Sequence, residues 1–174
     1  MDLITFTHVV TRAGAAFGFS LMCVTAMWIY YSRGRSIKAL KKKKVWLPWA
    51  GAGLTMVMAS AVTGGLLGRI SGGFTGTGNA AGAAIGDAAV GQSGAGAVPL
   101  STGEVLSYSG SWLAFVLVIG LCLFVWFAKG WEERALALSG GLTGATWGIT
   151  AAVGGWASML GVPLLSWLGE VLIG

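Results

Sequence analysis

Residues 13–32, 45–68, 105–128 and 135–169 contain no Asp, Glu, Lys or Arg, and the charge of the chain is packed into short clusters between them. Each run reaches or passes the roughly 20 residues that an α-helix needs to cross the hydrocarbon core of a bilayer. A soluble domain is about 25% charged, whereas this chain of 174 residues is 10% charged with a mean hydropathy of +0.78. Lipid offers the backbone no hydrogen-bond partner, so a spanning segment must satisfy its own N–H and C=O groups. Uniform apolar runs of this length do so as helices. The expected fold class is an all-α integral membrane protein: a four-transmembrane-helix bundle with a short C-terminal interfacial helix. It forms a single membrane domain over residues 1–174, multi-pass in the cell (cytoplasmic) membrane.

The spans are expected at about 13–31, 46–68, 112–128 and 136–156. Ahead of the first, Asp2 or Thr5 can cap a helix beginning within residues 3–10, which sets His8 and Arg12 four residues apart on one face. Trp28, Tyr30 and Tyr31 mark an interface at its far end. In the second span Pro48 fits the first helical turn, where its missing N–H costs nothing, and Trp46 and Trp49 anchor that end. The third is bulky throughout, with Gly120 its only glycine. Lys129 and Gly130 then place a cation and a helix stop at its C-terminal pole. Glu132 and Glu133 suit the N-terminal pole of the fourth. Gly161 and Pro163 should break it and leave residues 164–173 as a helix in the interface, with Glu170 facing water.

Residues 71–109 change character. They are rich in Gly and Ala, with Asn79, Asp87, Gln92 and Glu104 as their strong polar groups. Two readings stand open. One is a flexible extracytoplasmic loop, as Gly-rich coils tend to be. The other is a small-residue helix or re-entrant element inside the bundle, since irregular backbone at membrane depth must be covered by protein or water.

Lys and Arg collect on the cytoplasmic side of membrane proteins. Arg33, Arg35, Lys38, Lys41, Lys42, Lys43, Lys44, Lys129 and Arg134 fall on one side of this scheme, against Arg12 and Arg69 on the other. The basic loop 32–45 is therefore expected inside, and both termini and the segment 71–109 outside. The net charge of +5 then follows from topology. The loop cations can hold anionic lipid headgroups, at about 1 kcal/mol per charge near the surface. Nucleic acid is the lesser reading of the same residues, because no aromatic side chain interleaves with them for base stacking. The residues before the first span carry both Asp2 and Arg12, and the heavy positive charge follows the span. That is the reverse of a signal peptide, so none is expected.

Membrane helices associate by close backbone approach, which small residues at four-residue spacing permit. Gly14 and Gly18 provide such a pair in the first span. Ser60, Gly64, Gly68, Gly72 and Gly76 form a row that Ala80, Ala84 and Ala88 continue, with Gly78, Gly82 and Gly86 beside it. Gly140, Gly144, Gly148 and Ala152 form another. Spans one, two and four should pack tightly, and span three should face lipid. Gly and Ala make up most of residues 64–96, so some small-residue register arises there by chance. Packing within the chain is the plainer use of the rows. Self-association is the other, raised by a glycine content beyond what four helices need internally.

Chemistry-bearing constellations do not assemble. No ionisable residue sits at mid-depth of any span, which argues against a proton-coupled transporter or a voltage sensor. His8 is the only histidine, so a two-histidine haem site or a histidine-rich metal cluster cannot form within one chain. Cys23 and Cys122 lie inside apolar runs and read as buried thiols rather than a disulfide or redox pair. The stretch from Gly76 through Gly78 to Gly82 lacks the third glycine of a dinucleotide fingerprint, and no strand precedes it. A phosphate-binding loop and a nucleophile–base pair are missing. No catalytic, cofactor or metal site is expected.

The profile (small, multi-pass, glycine-faced, with a basic loop) is similar to that of phage holins and of small membrane proteins of conjugation or secretion systems, without a diagnostic motif. The expected function is a non-enzymatic, self-associating structural or pore-forming component of a multi-copy membrane assembly, with lipids and copies of itself as partners. The alternative is an accessory or scaffold subunit meeting other membrane subunits in a larger complex. A small transporter is less supported.

Overall fold

The computed structural model describes residues 9–33, 35, 43–62, 64–92, 94–99, 107–150, 163–164 and 166–172. Within them the chain is helical: α1 (Arg12–Ser32), α2 (Lys43–Ser60), α3 (Gly65–Val90), α4 (Tyr108–Phe127) and α5 (Trp131–Thr146), with a further helical stretch at 166–172. Two helices, α1 and α4, are long and apolar enough to cross a membrane. A third span arises if α2 and α3, which meet at a bend of 118°, are taken together.

That bend corrects the second span, which is not one straight helix over 46–68. The helix begins earlier, at Lys43, so Pro48 lies inside it rather than in its first turn. It stops at Ser60, where Ala61 and Val62 donate to the carbonyls of Met58 and Ala59 at 3.1 and 3.2 Å and tighten the last turn. Gly65 then takes φ +66°, a conformation open to glycine and costly for L side chains, and swings the chain into α3. Of the two readings of residues 71–109, the helical one describes the segment through Val90. Gly91 closes α3 in the left-handed region, and the Gln92 N–H reaches back to the Gly86 carbonyl at 3.3 Å, as in a Schellman-type stop.

The helix directions follow from which residues meet. Gly140, Gly144 and Gly148 of α5 and the turn after it lie against Trp49, Gly53 and Val57 of α2, so α2 and α5 run parallel. Gly18 sits beside Thr146 and Trp147, while Ile29 clusters with Val45 and Leu136, so α1 runs opposite to both. Helix α3 lies across the others. It begins with Leu67 in a cluster with Ala59, Ala114 and Val118, passes Ala145 at Thr75, and reaches Ala13 of α1 at Gly82. Helix α5 is the centre of the bundle, with eight of its 16 residues buried.

One further boundary is corrected. The third expected span, α4, starts at Tyr108, four residues ahead of the expected 112, because Ser107 caps it by accepting the Gly110 N–H at 3.2 Å. In the fourth expected span, α5 ends at Thr146, where Gly148 donates to the Thr143 carbonyl at 2.9 Å and Thr150 to the Trp147 carbonyl at 3.1 Å, forming a turn; the expected end at 156 lies outside the described residues. Ala152, Trp156 and Gly161 lie outside the described residues. The stretch 166–172 sits at the N-terminal end of α4, where the Ser107 N–H faces Ser166 Oγ at 3.5 Å.

The core contains few bulky side chains. Among the largest fully buried ones, Met56, Val10 and Val45 share the interior with Thr75, Thr146 and Ser71. Each of these hydroxyls returns to a carbonyl of its own helix: Ser71 to Gly68 at 3.1 Å, Thr75 to Ser71 at 3.0 Å, Thr146 to Leu142 at 2.8 Å. Such back-bonding lets a polar side chain enter a dry interior without an unpaired donor.

Candidate functional site: glycine seams and a basic end

The first seam joins α2 to α5. A Cβ on Gly140 would overlap the Trp49 carbonyl, and one on Gly144 would overlap the Gly53 carbonyl. One turn on, a Cβ on Gly148 would lie 2.9 Å from Val57 Cγ2. At Gly140 and Gly144 only hydrogen allows backbone to meet backbone. The reciprocal contact is gentler: a Cβ on Gly53 would lie 3.2 Å from the Gly140 carbonyl oxygen. The seam therefore sets one glycine row against the carbonyls of a mixed face, not row against row. Gly53, placed at the centre of this contact, was not among the expected packing positions, since nothing at four-residue spacing flanks it with small residues.

The second seam gathers α1, α3 and the end of α5. A Cβ on Gly14 would collide with the Asn79 amide, one on Gly18 with Thr146, and one on Gly82 with the backbone of Ala13. Asn79 organises the entry to α1. Its Oδ1 accepts from both the N–H and the hydroxyl of Thr11 at 3.0 and 3.1 Å, and its Nδ2 donates to the Val9 carbonyl at 2.8 Å. Thr11 in turn caps α1 by accepting the Gly14 N–H at 3.0 Å. Residues 94–98 complete the clamp: Arg12 and Ala13 donate to the Gly96 and Gly94 carbonyls at 2.7 and 3.1 Å, satisfying two N–H groups that a helix start leaves open. Asn79 was legible only as a polar group in a small-residue segment. Its partners lie 68 and 70 residues away in sequence.

The long row does not behave as one face. Gly64 is exposed at the helix break, where an added Cβ meets no atom of the chain within 4 Å. Gly68, Gly72 and Gly76 are buried inside the chain. Ala80, Ala84 and Ala88 are exposed. A helix turns once in 3.6 residues, so each four-residue step overshoots by about 40°. Over α3 the row winds from the interior to the surface, and Gly78 and Gly82 take over the buried side.

Among the described residues, Arg33, Arg35, Lys44, Lys129 and Arg134 gather at one end of the bundle. Arg33, just past α1, bonds Glu132 in the first turn of α5 at 2.6 Å. Arg35 lies 5.8 Å from the ring centroid of Tyr31, within cation–π range. Arg134 reaches back to the Ala128 and Trp126 carbonyls at 2.9 and 3.3 Å. Lys44 and Lys129 are exposed. Lys38, Lys41 and Lys42, and the side chain of Lys43, lie outside the described residues. Arg12, Arg69, Asp87 and Glu170 form no ion pair among the described residues. Among those residues, too, no three His, Cys, Asp or Glu side chains gather as a metal site would require. No family model matches the chain, and no curated protein or solved structure is similar to it.

Proposed function

We propose that this chain is a non-enzymatic, multi-pass protein of the cell membrane, its basic end at the cytoplasmic face, and that it serves as a self-associating structural or pore-forming component of a multi-copy assembly. The supporting observation is the outer part of α3. Ala80, Ala84 and Ala88 stand exposed at four-residue spacing, beside Ile85 at 55% and Val90 at 72% exposure. Small residues so spaced admit a second helix to close range, and no helix among the described residues covers them. Gly68, Gly72 and Gly76 are consumed internally, so a neighbouring copy would meet the later turns instead.

A single cysteine at Ala84, in a chain carrying Cys23→Ser and Cys122→Ser, tests this with a short bismaleimide in native membranes. The expected product is a dimer of the chain, the limit for one thiol per chain and a two-ended reagent. Products of other masses would favour the accessory-subunit reading, and a purely monomeric pattern would remove self-association through α3. Alkaline carbonate extraction tests the membrane reading separately: the chain should stay in the pellet, and its release to the supernatant would overturn that reading.

A further inference from the structure

Helices α4 and α5 enclose, with α2 and α3 behind them, an apolar cleft of about 510 Å³. That volume lies within the roughly 300–1,000 Å³ of small-molecule sites. Met56 and Phe74 line its closed side, Val118 and Cys122 its α4 wall, and Trp126 and Arg134 the end nearest the basic residues. Cys122 and Trp126 are exposed, so the cleft opens sideways. It opens on the helix with the least burial of the two long apolar ones, 17% of its window against 28% for α1.

Arg134 is the charged residue in this lining. Its Nε and one Nη donate to the carbonyls of Ala128 and Trp126, which pin the guanidinium at the cleft end. Three of its five N–H groups remain uncommitted. Lys129 stands exposed in the same connection. Of the nearby carboxylates, Glu132 is engaged by Arg33 and Glu133 lies back toward Gly130. A hydrocarbon groove open to the side, ended by a fixed cation, matches a molecule with an apolar chain and an anionic head. Basic pockets between membrane helices hold such headgroups, and a planar guanidinium suits a phosphate better than a point charge does.

We propose that the α4–α5 cleft binds one acyl chain of an anionic phospholipid, with the lipid phosphate held by Arg134. The stretch of α4 from Val118 to Trp126 is about 12 Å long at 1.5 Å per residue, enough for part of a chain whose remainder stays in the bilayer. This rests on the reading above that the chain is membrane-inserted with its basic end at headgroup level.

The test uses the full chain in nanodiscs of phosphatidylcholine containing a minor fraction of phosphatidylglycerol with the same acyl chains, followed by native mass spectrometry of retained lipid. The wild-type chain should retain phosphatidylglycerol with about tenfold enrichment, the scale of one hydrogen-bonded contact to a charged group. Arg134→Gln should bring the enrichment close to parity, and Arg134→Lys should keep part of it. Cys122→Trp, which fills the cleft from its exposed side, should lose both lipids. Arg69→Gln, an exposed cation on α3 that is not part of the lining, should change nothing. The proposal is overturned if the wild type shows no enrichment, if Arg69→Gln costs as much as Arg134→Gln, or if Cys122→Trp retains the lipid. A chain that inserts but shows no lipid preference defeats the cleft alone. A chain that stays in solution without detergent defeats the membrane reading itself.

Discussion

Helices α4 and α5 are neighbours in sequence and opposites in construction. Along α4, the buried residues are Gly110, Ala114 and Val118, one thin stripe, while Val116, Ile119 and Leu123 are 61%, 43% and 51% exposed. Along α5, the buried set includes Gly140, Gly141, Gly144 and Ala145 with Thr143 and Thr146, and backbones of two helices meet it. The bulkier helix is thus the more exposed one. In water this would be upside down. In a bilayer the tails are as apolar as leucine, so no hydrophobic gain attends burial of α4, and association goes to the helices whose small residues let backbones approach. The contrast teaches that glycine here acts as an instrument of contact, while large side chains serve as the surface.

Matched substitutions can break that contrast. The largest effect is expected at Gly144→Leu, which drives a side chain into the Gly53 carbonyl, an atom that cannot move aside. Overpacking costs about 1–3 kcal/mol and occasionally more, and this site should reach the upper end, read as a lost or strongly lowered thermal midpoint in detergent. Asn79→Ala comes next. It removes the acceptor shared by the Thr11 N–H and hydroxyl, at about 1–3 kcal/mol for a donor left unpaired. Faster amide exchange around Thr11 and Gly14 should accompany the loss, and unchanged exchange would deny Asn79 its clamping role. Glu132→Gln at the basic end should matter less. The pair with Arg33 is 35% and 51% exposed, so about 1 kcal/mol is the ceiling. The gap to wild type should close as salt rises. Smallest is Gly120→Leu on α4, where an added Cβ meets nothing within 4 Å. Relief of an interior helical glycine gives at most about 0.5–1 kcal/mol of stabilisation. A loss at Gly120 as large as that at Gly144 would show that α4 is not a lipid-facing surface.

Much of this was legible from residues alone. The uncharged runs led to helices at α1, α2, α4 and α5, and the rows at Gly14–Gly18 and Gly140–Gly144 marked contacts because close approach has few other means. The absence of small rows in α4 marked the exposed helix. Less legible was the break after Ser60, since the apolar run continues smoothly through Leu66 and Leu67 and only Gly64 and Gly65 hint at a turn. The clamp at Asn79 was hidden for a different reason: the polar groups it joins are distant in sequence.

Charge spacing and hydropathy determined that the chain is helical and rich in segments able to cross a membrane, because the backbone in lipid has only that local solution available. The tertiary structure decided which glycines touch and which do not. A four-residue repeat precesses around a helix, so the same row is buried at Gly72 and exposed at Ala84, and only the crossing direction of α3 settles where interior becomes surface. It also decided that a cation and an apolar cleft share one end of α4 and α5, a juxtaposition that depends on how two helices pack and that no pattern within either one encodes.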